Sequence, residues 1–208
     1  MTSEIDLPLI LLAAFIATAS PGPATLAIAG TSMTSGRRYG LALAAGVTSG
    51  SWAWSIAAAL GMGALMSANA WAFEVIRYLG ACYLLFLAFK SARSAIAGSG
   101  DAAKYTQVSS LKTAYARGLA LHLTNPKAVL FFGSLFAVGI PAGSSVTSLV
   151  VVVAAIGLQS LFVFHGYALL FSSAPMVAGY RKLRRWFEAV FAIAFGIAGF
   201  KILTTRWN

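Results

Sequence analysis

The stretch Ser20-Pro21-Gly22-Pro23 interrupts an apolar run that extends from Leu7 to Met33 and contains no charged residue. Each proline lacks a backbone N–H and clashes with the preceding turn, so an α-helix cannot run straight through this stretch. In hydrocarbon, every backbone group that such a break releases needs a partner, so the break must face protein or a water-filled cavity. We therefore predict a broken membrane helix whose break faces the inside of a helical bundle.

A second apolar run is interrupted in the same way at Asn125-Pro126-Lys127. Two broken helices at corresponding places in two halves of a chain are typical of a transporter binding site. Lys127 also lies far from both ends of its run, and a lysine at that depth is costly unless it faces water or a partner. Two alternatives stay open at this point. The prolines could serve packing alone, and Lys127 could extend to the membrane surface.

The composition of the 208-residue chain is that of a membrane protein with several spans. Hydrophobic residues make up 59% and charged residues 10% of the chain, whereas soluble domains carry about 25% charged residues. The net charge of +10 comes from basic residues at the ends of apolar runs, which fits the positive-inside rule better than nucleic-acid binding. With one cysteine, Cys82, and two histidines that have no nearby acid, we expect neither a metal site nor another cofactor.

An all-α membrane protein with six transmembrane helices is the predicted fold. The predicted helices are 6–33, 40–66, 72–96, 112–138, 146–173 and 185–205. We expect one transmembrane transporter domain over 1–208, with halves 1–97 and 111–208 joined by the polar linker 98–110. The distribution of lysine and arginine between the loops places both termini outside the cytoplasm. Three helices in each half then make the halves two inverted repeats, in which helices 1 and 4 are the broken ones.

The motifs, in this order, resemble those of the LysE/RhtB family of amino-acid exporters. Pro21-Gly22-Pro23 followed by Gly36-Arg37-Arg38 resembles the N-terminal signature, and Asn125-Pro126-Lys127-Ala128 resembles the signature in helix 4. The resemblance covers essentially the whole chain and implies a multi-pass protein of the bacterial cytoplasmic membrane that exports amino acids. The chain departs from the pattern at Ala24 and His122, where relatives often have asparagine, and it has no carboxylate in helix 2. These departures concern substrate and coupling more than fold.

The predicted substrate site lies between the two breaks. Backbone N–H groups at Pro21-Gly22-Pro23 and the partial positive charge of a helix N-terminus there would bind a carboxylate, with Thr25 supplying a hydroxyl. Asn125-Pro126-Lys127 would form the other side of the site, with the Lys127 ammonium holding an anionic group. His122, Lys127 and His165 are the candidates for proton coupling, because histidine titrates nearest physiological pH. For both histidines, a hydrogen-bonded packing role is the alternative.

The carboxylates predict the charge of the substrate. All of them fall near predicted helix ends or loops, at Glu4, Asp6, Glu74, Asp101 and Glu188. Because none of them would pair with a cationic side chain at mid-depth, we predict a neutral amino acid. The expected partners are this substrate, a proton and the lipid bilayer, without nucleic acid; the small residues Gly46 and Gly50 of helix 2 also permit a homodimer. A membrane-integral enzyme and a non-transporting scaffold are the alternative functions.

Overall fold

The computed structural model describes residues 5–20, 22–68, 70–97, 107–141 and 144–204, and this part of the chain contains helices and no strand. The helices are α1 (Leu7–Ala19), α2 (Pro23–Ser35), α3 (Arg37–Ala68), α4 (Ala70–Ala97), α5 (Leu111–Leu123), α6 (Pro126–Gly139), α7 (Val146–Leu170) and α8 (Ala174–Thr204). The prediction of an all-α protein is thereby confirmed. Pro21 and most of the linker 98–110 lie outside the described residues.

The two predicted helix breaks are both present. Helix 1 is divided into α1 and α2, whose axes differ in direction by 51°, and helix 4 is divided into α5 and α6 at Thr124 and Asn125. In each case the second segment begins with a proline in its first turn, where the missing N–H is not needed. The breaks follow directly from the local sequence.

The predicted start of the last helix is wrong. We expected it at residue 185, but α8 begins at Ala174, so the basic stretch from Arg181 to Arg185 is helical and not a loop. Lysine, arginine and leucine are good helix formers, and their charge alone does not end a helix. As a result, Glu188 lies in the middle of α8 and is only 5% exposed. The prediction that every carboxylate lies near a helix end is therefore wrong for Glu188.

Helix α3 lies at the centre of the bundle, where it packs on α2, α5, α6 and α7. Its contact with α5 is close because glycines from both helices face the partner backbone. A Cβ atom on Gly46 would overlap the Tyr115 carbonyl, and one on Gly118 would overlap the Leu43 carbonyl. A Cβ atom on Gly50 would lie 2.9 Å from Cβ of His122. The small residues that suggested a dimer surface thus pack against α5 of the same chain.

The directions of the remaining helix pairs are clear from their side-chain contacts. Tyr167 and Gln159 of α7 donate hydrogen bonds to the carbonyls of Ala19 and Leu11, at 2.6 and 2.9 Å, so α1 and α7 run parallel. Ser94 near the end of α4 bonds to Glu188 near the middle of α8. Leu85, which precedes Ser94 in α4, packs against Gly199, which follows Glu188 in α8. The two helices therefore run antiparallel.

The surface of the bundle suits a lipid environment. Large apolar side chains such as Phe162, Trp186 and Ile193 are 64–72% exposed, which is typical of surfaces that another apolar phase covers. Among the described helices, α7 alone is by itself long and apolar enough to cross a membrane. The bent pair α1–α2 passes the same test when it is treated as one span. The number of six spans stays a prediction.

Candidate functional site

A small cavity of about 40 Å³ lies between the two helix breaks. Its wall is formed by the ends of α1 and α5, the first turns of α2 and α6, and aromatic rings of α6 and α7. The lining residues are Ala17, Thr18, Ser20, Gly22, Ala24, Thr25, His122, Asn125, Lys127, Ala128, Phe131, Phe132 and Phe164. A cavity of this size has room for a few water molecules.

The side chain of Lys127 connects the two breaks. Lys127 belongs to the first turn of α6, and its ammonium group contacts the hydroxyl of Ser20 and lies 3.5 Å from the Ser20 carbonyl oxygen. A Cβ atom on Gly22 would lie 3.4 Å from Nζ of Lys127. On its other side the ammonium stands 5.9 Å from the ring centroid of Phe195 in α8, within the range of a cation–π contact. The lysine therefore points into the bundle and not to the membrane surface.

The first break is stabilised by Thr25. Its hydroxyl oxygen accepts a hydrogen bond from the N–H of Gly22 at 2.9 Å, and it lies 3.1 Å from the Gly22 carbonyl, to which it can donate. The predicted hydroxyl donor is thus engaged with the backbone of the break itself. Gly22 is the N-cap of α2 and has no side chain that could cap it. The first turn of α2 therefore presents its backbone to the cavity, with Gly22, Ala24 and Thr25 in the wall.

The second break is satisfied internally. Asn125 is 7% exposed, and its side-chain oxygen accepts a hydrogen bond from the backbone N–H of Lys127 at 3.0 Å. This is a standard N-cap, which supplies a partner for one of the free donors of α6. Pro126 occupies the first position of α6 and has no N–H to satisfy. The two breaks are therefore unequal, because α6 begins with a side-chain cap and α2 begins without one.

His122 lies in the cavity wall and is 5% exposed. Its Nε2 shares a hydrogen bond with the hydroxyl of Ser51 in α3 at 3.0 Å. The edges of the ring meet Phe132 and Phe164, with centroids 6.4 and 5.8 Å apart. Its Nδ1 has no hydrogen-bond partner within the described part of the chain. A buried imidazole with one free nitrogen is thus placed beside the Lys127 site.

His165 is not part of this cavity. It lies on α7, and its Nδ1 stands 2.9 Å from the Leu161 carbonyl of its own helix. The structure brings His122 and Lys127 together with the two breaks and leaves His165 apart. Among the described residues, no group of three or more His, Cys, Asp or Glu side chains is arranged to hold a metal ion.

Some residues of the site are missing from the sequence-based candidates. Ser20 precedes the Pro-Gly-Pro motif and is the direct partner of Lys127, a role that a helix-break motif alone does not indicate. Phe131 follows Lys127 by one helical turn, so the helical period could have placed it on the same face. Phe164 and Ser51 come from helices far away in sequence, and no local pattern points to them.

The cavity carries a single formal charge. The described residues that line it include the Lys127 ammonium and no carboxylate. Glu188 is buried elsewhere, between α4 and α8, where Ser94 donates a hydrogen bond to its Oε1 at 3.1 Å. It is the one buried carboxylate among the described residues, and although it stays outside the cavity wall, its negative charge acts on the Lys127 ammonium. The electrostatic character of the cavity is therefore that of an anion site with apolar surroundings.

Comparison with known proteins gives consistent matches over nearly the whole chain. A family model described as LysE type translocator matches residues 15–206. The threonine efflux protein of Escherichia coli strain K12 is 28% identical over 193 residues, which are 92% of this chain and 94% of that protein. The threonine efflux protein of Salmonella typhi is 26% identical over the same shares. No solved structure matches the chain.

Proposed function

Because the chain belongs to the family of LysE type translocators, we propose that it exports a neutral amino acid across the bacterial cytoplasmic membrane, driven by protons. Membership makes the protein a membrane transporter and not an enzyme, and it confirms the family predicted from the two motifs. In our proposal the substrate binds between the breaks, at Pro21-Gly22-Pro23, Thr25 and Asn125-Pro126-Lys127.

The position of the Lys127 ammonium beside Ser20 and Gly22 is the observation that supports this proposal most directly. The N-terminal end of α2 carries a partial positive charge, and its first backbone N–H groups favour an anion. The ammonium adds a full positive charge from α6 at the same place. A substrate carboxylate near Gly22 would replace Ser20 as the partner of Lys127 and would form charge-assisted hydrogen bonds, which are stronger than neutral ones.

The other side of the first break suits the ammonium group of the same substrate. The C-terminal end of α1 carries a partial negative charge, and its residues Ala17, Thr18 and Ser20 line the cavity. A break between two helix segments thus places a negative and a positive helix end side by side. This arrangement matches the two charges of an amino-acid zwitterion.

The remaining walls favour a neutral substrate side chain. Phe131, Phe132 and Phe164 form an apolar wall, and the described lining includes no carboxylate that could pair with a lysine or arginine substrate. A cationic side chain would also be repelled by Lys127. This argument replaces the one from the sequence, because Glu188 is buried in the bundle but does not line the cavity.

Some helix contacts fit two inverted repeats, α1–α4 and α5–α8. If the repeats are exchanged, the contact of α3 with α5 corresponds to the contact of α7 with α1, and both are present. The contacts of α2 with α3 and of α4 with α6 have no comparable counterpart among the described residues, so the two halves pack unequally. We propose that one half moves against the other to open the cavity alternately to each side.

We also propose that a proton drives export and that His122 and Lys127 are the coupling residues. Both line the cavity, and each can change its charge in a place where a substrate would sense it. The position of His165 outside the cavity favours a packing role for that histidine.

A substrate panel in proteoliposomes tests the proposal. Purified protein should transport neutral amino acids under an imposed proton gradient, and threonine is the first to examine because the two relatives compared above are named threonine efflux proteins. A preference for arginine or lysine would contradict the neutral site. Absence of flux with every amino acid would contradict the function itself.

A further inference from the structure

Several buried polar atoms next to the proposed site have no hydrogen-bond partner within the described residues. They are the hydroxyl oxygens of Thr48, Ser55 and Ser160 and Nδ1 of His122, and the four side chains are at most 6% exposed. A fifth such atom, Oε1 of Gln159, belongs to an amide that already bonds to α1. Unpaired buried polar groups are costly and rare, so this concentration beside one cavity needs an explanation.

Helix geometry alone does not explain these hydroxyls. A serine or threonine inside a helix commonly donates to the carbonyl four residues earlier. Ser32, Ser49 and Ser134 of this chain do so. Thr48, Ser55 and Ser160 have the same option and do not use it. Within the described part of the chain, their hydroxyls are left without a hydrogen-bond partner.

The hydroxyls of α3 share one side of that helix. Ser51 faces α5, where it bonds to His122, and Trp52 faces α7, where its ring lies against Gly157. Successive helical residues are rotated by about 100°, which places Thr48 and Ser55 between the directions of Ser51 and Trp52. Both hydroxyls therefore point into the space between α5 and α7.

Ser160 approaches the same space from α7. It is 0% exposed, and along α7 it lies between Gly157, which meets Trp52, and Phe164, whose ring meets His122. We name these five residues the inner polar cluster: Thr48, Ser51, Ser55, His122 and Ser160. His122 and Phe164 also belong to the cavity wall, so the cluster borders the proposed substrate site.

We propose that the inner polar cluster is a proton relay that connects His122 to water outside the bundle. Side chains three or four positions apart on a helix have Cβ atoms about 5–6 Å from each other. That spacing is too long for a direct hydroxyl–hydroxyl bond of about 2.8 Å, but it suits one bridging water with two such bonds. Hydroxyls and water both donate and accept, which is what a relay requires.

The chemical step is a proton transfer and nothing else. A hydronium ion gives up its proton to the first member of the relay, each O–H bond breaks as the next one forms, and Ser51 passes the last proton to Nε2 of a His122 ring that already carries a proton on Nδ1. Release follows the same steps in reverse. The charged group that faces His122 is Lys127 of α6, whereas α3 and α7 present hydroxyls and aromatic rings. The nearby ammonium disfavours any second positive charge, so His122 would hold the relayed proton when a substrate carboxylate or loss of the Lys127 proton offsets that ammonium.

This inference rests on the proposed proton-driven export, and the variant Thr48→Val/Ser55→Ala/Ser160→Ala tests it. The variant removes three hydroxyls and keeps side-chain size nearly constant. We expect proton-driven accumulation in proteoliposomes to fall on the order of 10²-fold, the usual effect of losing a proton-transfer group. Exchange of labelled for unlabelled substrate moves no net proton and should stay within about twofold of wild type. Ser134→Ala, which removes a buried hydroxyl that has a carbonyl partner, is the matched control and should retain both activities.

Thermal stability provides a second measurement. Because the variant exchanges hydroxyl–water hydrogen bonds for apolar contacts of nearly the same size, the melting temperature should change little. Accumulation that equals wild type, or loss of accumulation and exchange together with a lower melting temperature, would overturn the relay. A wild-type protein that exchanges amino acids but never accumulates them under a proton gradient would overturn the relay and leave the substrate site intact. A wild-type protein without any amino-acid flux would overturn the proposed function as well.

Discussion

Replacing Lys127 with methionine is the sharpest test of the substrate site. Methionine is unbranched and flexible, so the substitution removes the ammonium group and keeps a side chain of similar length and volume. Ser20 loses its contact with the ammonium but still donates a hydrogen bond to the Ala17 carbonyl at 3.0 Å. The first break therefore keeps its own hydrogen bonds, and we expect Lys127→Met to fold and to insert normally.

The expected loss of substrate affinity follows from the hydrogen bond that the ammonium would form with a carboxylate. A hydrogen bond to a charged group contributes about 1.5–3 kcal/mol, which corresponds to binding that is ~10- to 100-fold weaker in the variant. The N-terminal end of α2 would still attract the carboxylate, so binding should be weakened and not abolished.

The assay compares the transported amino acid with its α-amide, which has the ammonium group but no carboxylate. Wild-type protein should bind the amide much more weakly than the amino acid, whereas in Lys127→Met this difference should shrink to the part that the N-terminal end of α2 contributes. This is a double-mutant cycle in which one of the two partners is the ligand. Lys112→Met is the control, because Lys112 lies exposed in the first turn of α5 and its removal should leave both affinities unchanged. The reasoning is refuted if Lys127→Met weakens the amino acid and the amide to the same extent.

Three further substitutions test the packing of the bundle by thermal denaturation in detergent. Gly118→Ala should lower stability by about 1–3 kcal/mol, because its Cβ would overlap the Leu43 carbonyl, whereas Gly133→Ala, whose Cβ would meet nothing within 4 Å, should not; equal melting temperatures would contradict the close contact of α3 and α5. Asn125→Ala should cost about 0.5–2 kcal/mol through loss of the α6 cap, and Asn125→Asp, which keeps the acceptor, should recover most of it. Glu188→Ala should be clearly less stable than Glu188→Gln, because only glutamine keeps an oxygen for the buried hydroxyl of α4; if both variants melt alike, that hydrogen bond contributes little.

The parts of the fold that the sequence predicts are those that depend on neighbouring residues. Two prolines within three positions stop a helix wherever they occur, and so the break at Gly22 needed no tertiary information. The same holds for Asn125 before Pro126, which is a favourable helix start. The predicted start of α8 is too late, because the basic residues from Arg181 to Arg185 resemble a loop in their charge but have good helix propensity. That error also placed Glu188 at a helix end.

The parts that the sequence did not predict depend on distant contacts. The bond between Ser51 and His122 joins positions 71 residues apart, and it exists because glycines of α3 and α5 let the two backbones approach. Similarly, the sequence indicates that Lys127 is a buried cation, but it does not indicate the partner Ser20, which lies 107 residues away. A pattern within one helix carries no information about such pairs.

The contact between Lys127 and Ser20 also suggests how substrate binding could act on the bundle. The ammonium links the two breaks across the cavity. A carboxylate would compete with Ser20 for the same ammonium, and as an anion it is the stronger partner. Substrate binding would thus weaken the link between the two breaks and would supply a new one through the ligand. The alanine at position 24 strengthens this dependence, because it contributes no polar side chain and leaves recognition to the backbone of α2 and to Lys127.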